Sequence, residues 1–210
     1  LKPENDKALC EAFPLLYADR VKSVYETPMG RGFECDDGWF NLIRELSGKL
    51  EDILSKVPHE ERFFAFQVKQ KFGGLRFYLR GQGHHYDEAD AIIKEYASLS
   101  FKTCEVCGSP GTRRTSLNYI QVLCDAHEDA RWEAEGPENR ARIRSEYERR
   151  LKLKKRRIVE LEGQLRNANS SELAKAITEE LEDETTVLES IEKAYAVVLK
   201  YCSKKQKTGP

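Results

Sequence analysis

The sequence predicts an α+β fold: a small helix and β-hairpin domain carrying a treble-clef-like zinc unit, followed by an antiparallel helical, coiled-coil hairpin. Three observations predict it. Cys104, Cys107, Cys124 and His127 form a C-x2-C, C-x2-H pattern with sixteen residues between the pairs. Upstream, apolar residues alternate on both sides of Gly73-Gly74, the period of a β-hairpin. Downstream, apolar residues recur at heptad spacing through two long charged segments.

Trp39, Ile43, Leu46, Leu50 and Ile53 lie at helical spacing, which places a helix over 38–56. Asp36 and Asp37 stand just before it, where a carboxylate caps free N–H groups, and Pro58 ends it. The hairpin spans 62–80. A two-residue Gly73-Gly74 loop would set Phe72 opposite Leu75, Val68 opposite Leu79 and Lys71 opposite Arg76. Phe64, Phe66, Val68, Phe72, Leu75, Phe77 and Leu79 would then share the core face. Lys69, Lys71, Arg76, Tyr78 and Arg80 would point outward. A second helix is expected over 87–99 through Ala89, Ile92, Ile93, Tyr96 and Leu99. These elements make a first domain, 1–100.

Residues 101–136 form the metal unit. Two close pairs of thiol and imidazole ligands, separated by a hairpin-length insert, suit a tetrahedral zinc ion. Cys104 to Gly108 reads as a knuckle, 111–123 as a hairpin turning near Asn118, and Cys124 to His127 as the opening of a helix. Four protein ligands close the shell, so the expected role of Zn2+ is structural. A unit this small needs such a staple to fold.

Gly136-Pro137 marks a break, and 137–207 reads as an antiparallel helical hairpin. Tyr147, Leu151, Ile158, Leu161, Leu165 and Ala168 carry one heptad series. Ile177, Leu181, Leu188, Ile191, Tyr195, Val198 and Cys202 carry the other. Asn169 and Glu172 resemble a capping box that restarts the second helix.

Charged residues make up 34% of the 210 positions, as expected of a long solvated element beside a modest core. A net charge of −1 gives no global field toward nucleic acid or an anionic membrane. The basic run Arg149 to Arg157 mirrors the acidic run Glu179 to Glu189 about the turn, so the two should pair within the hairpin. Cys10, Cys35 and Cys202 are scattered, which favours a reducing, cytoplasmic compartment over a disulfide framework. No signal peptide and no run of ~18 apolar residues is present, so no membrane role is expected.

Like charges at Lys71 and Arg76 call for a negative neighbour. Glu34, Asp36 and Asp37 could supply it from within; a phosphate backbone or an acidic partner surface could supply it from outside. Lys69, Lys71, Arg76, Tyr78, Arg80, Asp36 and Asp37 are therefore candidate partner- or anion-binding residues. No P-loop, G-x-S-x-G or H-E-x-x-H is present, so no catalytic residue is assigned. A metal-dependent nuclease or hydrolase would need a histidine between the ligand pairs, and 108–123 holds none. It would otherwise need Asp36, Asp37 and His84 around a second metal.

Gly32 to Phe40, Val68 to Tyr78 and Cys104 to Gly108 are three ordered blocks, GFECDDGWF, VKQKFGGLRFY and CEVCG. Together they resemble a family of small phage and prophage zinc-knuckle proteins across about residues 10–130. Position 36 is Asp here, where that family pattern has Gly. The resemblance implies phage origin and a role on host or phage machinery, including defence systems; it implies no particular activity. The leading expectation is thus a non-enzymatic zinc protein that binds another protein, as adaptor or inhibitor. A homodimer through the helical hairpin is compatible with it. Nucleic-acid binding by the basic hairpin face is the alternative.

Overall fold

The computed structural model describes residues 1–81, 85–117 and 119–203. His84 and Asn118, singled out above for a metal and for a turn, lie outside them. The chain is α+β and forms two compact units, Leu1–Ala130 and Arg131–Pro210.

The first unit opens with helix α1 (Pro3–Ala12), which the apolar periodicity does not reveal because only Leu9 is buried on it. A two-residue strand, β1 (Phe33–Glu34), leads through a 3-10 turn at 37–39 into α2 (Phe40–Leu54). Leu42, Ile43, Leu46, Leu50, Ile53 and Leu54 bury one face of α2, the stripe the sequence predicts. The capping expectation for Asp36 and Asp37 fails. The 3-10 turn intervenes, and neither carboxylate caps α2. Asp37 reaches α1 instead: its Oδ1 accepts from the Lys2 backbone N–H at 2.8 Å and from Asn5 Nδ2 at 2.9 Å. These bonds hold its carboxyl below the usual range.

Strands β2 (Phe63–Lys71) and β3 (Gly74–Gly81) pair antiparallel, and β1 adds to β2 in parallel, giving sheet order β1-β2-β3. The register differs from expectation. The turn is Phe72-Gly73, at φ 55° and 80°, and Lys71 faces Gly74. Gly74 is already in the strand, where a Cβ would fall within 3.0 Å of the Phe101 ring. A bulge between Ala65 and Gln67 leaves Phe66 unpaired and switches the parity of β2. The buried face of β2 is therefore Phe63, Ala65, Val68 and Gln70, opposite Leu75 and Phe77. Phe64 and Phe66 are only half-buried, and Phe72 sits exposed at the tip. Lys69, not Lys71, stands across from Arg76.

Helix α3 (Tyr86–Ser100) covers the expected 87–99 and buries Ala89 and Tyr96 into the same core. Its last residue, Ser100, accepts from the Leu75 N–H at 2.9 Å through Oγ, tying the helix to β3. On α2, Glu51 grips the segment after α1. Its two carboxylate oxygens accept from Leu15 N at 3.0 Å and Leu16 N at 2.8 Å. The short strands β4 (Thr112–Arg114) and β5 (Gln121–Leu123) form a separate two-stranded sheet. Helix α4 (Asp125–Ala134) follows, with the unit boundary inside it.

The second unit is built from α5 (Pro137–Arg166) and α6 (Ser171–Ser203), which run antiparallel. Tyr147, Leu161, Ile177, Ile191 and Val198 are buried along their seam. Tyr147 stacks on Tyr195 at 6.3 Å, and Trp132 stacks on Tyr201 at 5.0 Å. Arg157 pairs with Glu180 at 2.6 Å, the pair the mirrored charges predict, and Lys154 with Glu184 at 2.6 Å. The N-cap of α6 is Ser170, whose Oγ accepts from Leu173 N at 3.2 Å, rather than Asn169.

Glu51→Ala should lower stability in urea unfolding by about 2 kcal/mol, because it strands two backbone donors. An unchanged midpoint would show that water replaces the carboxylate.

Candidate metal centre

Thr103 bridges to Pro110, and the chain between them folds into a tight knuckle. Cys104 N donates to Ser109 O at 2.7 Å, and Gly108 N to Cys104 O at 2.9 Å. Gly108 takes φ 77°, the left-handed conformation that glycine adopts without strain. On the other side of the site, Glu128 N closes the first turn of α4 onto Cys124 O at 3.0 Å. Cys124 thus starts the helix and His127 lies in its first turn. The knuckle supplies two thiols and the helix end supplies a thiol and an imidazole.

The four ligand atoms lie within 4.8 Å of one another. Cys107 and Cys124 Sγ are 3.8 Å apart, Cys104 Sγ and His127 Nδ1 3.6 Å, and Cys124 Sγ and His127 Nδ1 3.1 Å. A tetrahedral ion with sulfur at about 2.3 Å and nitrogen at about 2.0 Å sets sulfur–sulfur edges near ~3.8 Å and sulfur–nitrogen edges near ~3.5 Å. The first two separations fit that frame and the third is tighter. The residues present therefore fit a four-coordinate metal. Among the described residues, no other group of three or more Cys, His, Asp or Glu is placed to hold one.

The thiols differ in their readiness to ionise. Cys104 is raised by burial, against N–H groups of Cys124, Cys107 and Val106 that point at its sulfur. Exposed Cys107 is lowered to about 6, first by the Ser109 hydroxyl and then by the Ser109 N–H. Cys10 and Cys35 are both pushed up to about 12 by burial, so they remain protonated thiols. All six cysteines are free of disulfides.

The knuckle is bolted to the first unit's core by residues that spacing alone does not flag. Gly38 N donates to Glu105 O at 2.7 Å, and Trp39 Nε1 to Thr103 O at 2.9 Å. A Cβ on Gly38 would lie within 3.0 Å of Cys104 O, Glu105 O and Cys107 N. Glu105 is itself buried. Its backbone N–H donates to Val122 O at 2.9 Å, and its carboxylate accepts from Asp36 N at 3.4 Å and Gln121 Nε2 at 3.3 Å. Burial pushes that carboxyl up to about 7, with the charge of Asp36 adding to the shift.

The second candidate group does not assemble as expected. No ion pair joins Glu34, Asp36 or Asp37 to Lys69, Lys71 or Arg76 among the described residues. Glu34 accepts from Gln67 Nε2 at 2.8 Å, and Asp37 is engaged with α1. Arg80 is exposed on the outward side as expected, but its charge is met by an ion pair with buried Asp19. Lys69, Lys71, Arg76 and Tyr78 remain together on the outer face of the hairpin.

No helix among the described residues is long and apolar enough to cross a membrane. No protein-family model, curated protein or solved structure matches this chain.

Gly38→Ala should destabilise the first unit by about 3 kcal/mol or more, since backbone rather than a movable side chain meets the new Cβ. Urea unfolding checks it; a wild-type midpoint would show that the knuckle shifts freely. Cys104→Ser should abolish metal retention through gel filtration, read by elemental analysis, and melt the 101–130 segment in hydrogen exchange.

Proposed function

We propose that the ion is zinc, held as a structural staple in a treble-clef arrangement, and that the protein works by binding another protein through a coiled-coil hairpin. A soft donor set of three sulfurs and one nitrogen, with near-tetrahedral edges, supports zinc. Knuckle, β-hairpin and helix start follow one another around the site in treble-clef order. Four protein ligands leave no open coordination position for substrate, which supports the staple over a catalytic ion.

The observation that carries the binding reading is the second unit's construction. Helices of 30 and 33 residues run side by side, about 45 Å at 1.5 Å per residue. Leu153, Val159 and Val187 are exposed on them among the charges. A stiff rod of this kind offers side-on surface for helix contacts, with a partner's own helices as the natural complement. The likeness of the three sequence blocks to phage proteins favours a host or phage protein as that partner. Cys10, Cys35 and Cys202, outside the metal cluster, form no disulfide, which suits a reducing compartment such as the cytoplasm.

Affinity capture from a bacterial lysate, with nuclease present, tests the reading. The wild-type chain should retain a stoichiometric protein. Leu153→Glu with Val187→Glu should release it at unchanged helicity, because neither side chain supports the seam. A partner held equally by both chains would remove the hairpin as the docking surface.

A further inference from the structure

Phe72 is the one non-glycine residue at positive φ among the described residues. It occupies the first central position of a two-residue turn with φ positive at both positions, where Asn, Asp or Gly is favoured because a large side chain strains its own backbone. Its ring is 60% exposed, so burial offsets little of that strain. A second hairpin holds the turn and the strand end beside it. Arg113 Nε donates to Phe72 O at 3.2 Å. The Gln70 amide donates to Ile120 O and accepts from the Tyr119 hydroxyl, the latter at 3.0 Å. Strained residues held by this much support cluster at functional sites.

Gln70, Lys71, Phe72, Tyr119 and Ile120 line a cleft of about 260 Å3. Phe72 and Tyr119 are both more than half exposed beside it. Lys71 Nζ lies 5.4 Å from the Phe72 ring centre, and Lys69 Nζ 5.9 Å from that of Tyr78. Lys69 faces Arg76 across the ladder, a repulsive pairing. Lys69, Lys71, Arg76 and Arg113 have no ion pair among the described residues. Glu34, in register with Lys69 on the other side, gives its carboxylate to Gln67.

We propose that the outer face and tip of the β2–β3 hairpin bind single-stranded nucleic acid, with bases stacked on Tyr78 and Phe72 and phosphates on Lys69, Lys71, Arg76 and Arg113. Cations interleaved with exposed rings are what a single strand requires, because it offers a phosphate and a π-face at every nucleotide. A duplex hides those faces. An acidic protein segment would meet the cations but leave the rings without planar partners. The site is on the first unit and is independent of any protein docking by the second.

Fluorescence anisotropy tests it with the full-length zinc-loaded chain and a labelled single-stranded DNA of about twenty nucleotides, spanning more than one binding site. The matching duplex and poly-glutamate serve as competitors. Binding should weaken steeply with salt, and the duplex should compete at least about tenfold more weakly. Phe72→Gly suits the backbone at this position and should keep or raise the melting temperature, while weakening binding about tenfold, the worth of one stacked base. Lys71→Glu with Arg76→Glu should abolish it, whereas Lys152→Glu with Arg156→Glu on α5 should leave it unchanged. Absence of salt-dependent binding overturns the assignment. So does wild-type affinity in Phe72→Gly, loss of binding in the α5 variant, or poly-glutamate competing better than DNA.

Discussion

Gly38 and Gly108 lie where the loop before α2 meets the metal knuckle, and no side chain intervenes between the two backbones. That contact organises much of the first unit. It lets Gly38 N reach Glu105 O and brings the Trp39 indole onto Thr103 O. Trp39 is fully buried and opens α2, the helix with the deepest apolar stripe. The knuckle that places two thiols is therefore also a wall of the α+β core. The Cys and His cluster and the core share one set of backbone hydrogen bonds. The 101–130 segment needs this arrangement, because its own buried apolar residues are few: Leu117, Val122 and Leu123 beside Cys104. So small a cluster cannot offset the entropy of ordering about thirty residues unaided.

The clustering of Cys104, Cys107, Cys124 and His127 was legible because coordination chemistry fixes residue type and spacing together, and the pair-gap-pair pattern survives any detail of the fold. The α2 and α5–α6 elements were legible because periodicity extends over many turns. What sequence hid has a common cause: each feature depends on one residue's backbone rather than on a repeat. The bulge at Phe66 reverses which of two equally apolar sets, Phe64 and Phe66 or Phe63 and Ala65, faces inward. Either choice reads as an alternating strand. The turn falls on Phe72-Gly73 because Gly74 is required under the Phe101 ring, a contact from a residue far along the chain. The strand β1 is two residues long and α1 buries one leucine, too little for any periodic signal. The role of Asp37 as an anchor for α1 is likewise set by tertiary placement.

Charge is distributed differently on the two units. On the second, opposite charges meet across the helices at Arg157–Glu180, Lys154–Glu184 and Lys155–Glu192. Exposed pairs of this kind contribute little stability each, yet a shifted or parallel pairing would set like charges together, so they select the register. On the first unit, Arg20 pairs with Asp6, and Lys22 and Arg80 both pair with Asp19. Against that background the outer hairpin face stands apart. Lys69 and Arg76 are adjacent across the ladder, and Lys69 and Lys71 lie over aromatic rings.

The hairpin tip runs against the economy of the rest of the unit. A glycine or asparagine at position 72 would meet the turn's backbone demand, and the sheet would keep every ladder bond it has. Phenylalanine instead brings left-handed strain and an exposed ring. The same unit meets its other exceptional backbone angles with glycine, at positions 32, 73, 81 and 108. The pattern at those four positions is the one that minimises strain, and position 72, with a side chain 60% exposed, departs from it. Arg113 holds the carbonyl of this strained residue, and Gln70 beside the turn is tied to Ile120 and Tyr119 of the second hairpin, so the exposed ring is kept at a backbone cost that the fold itself does not require.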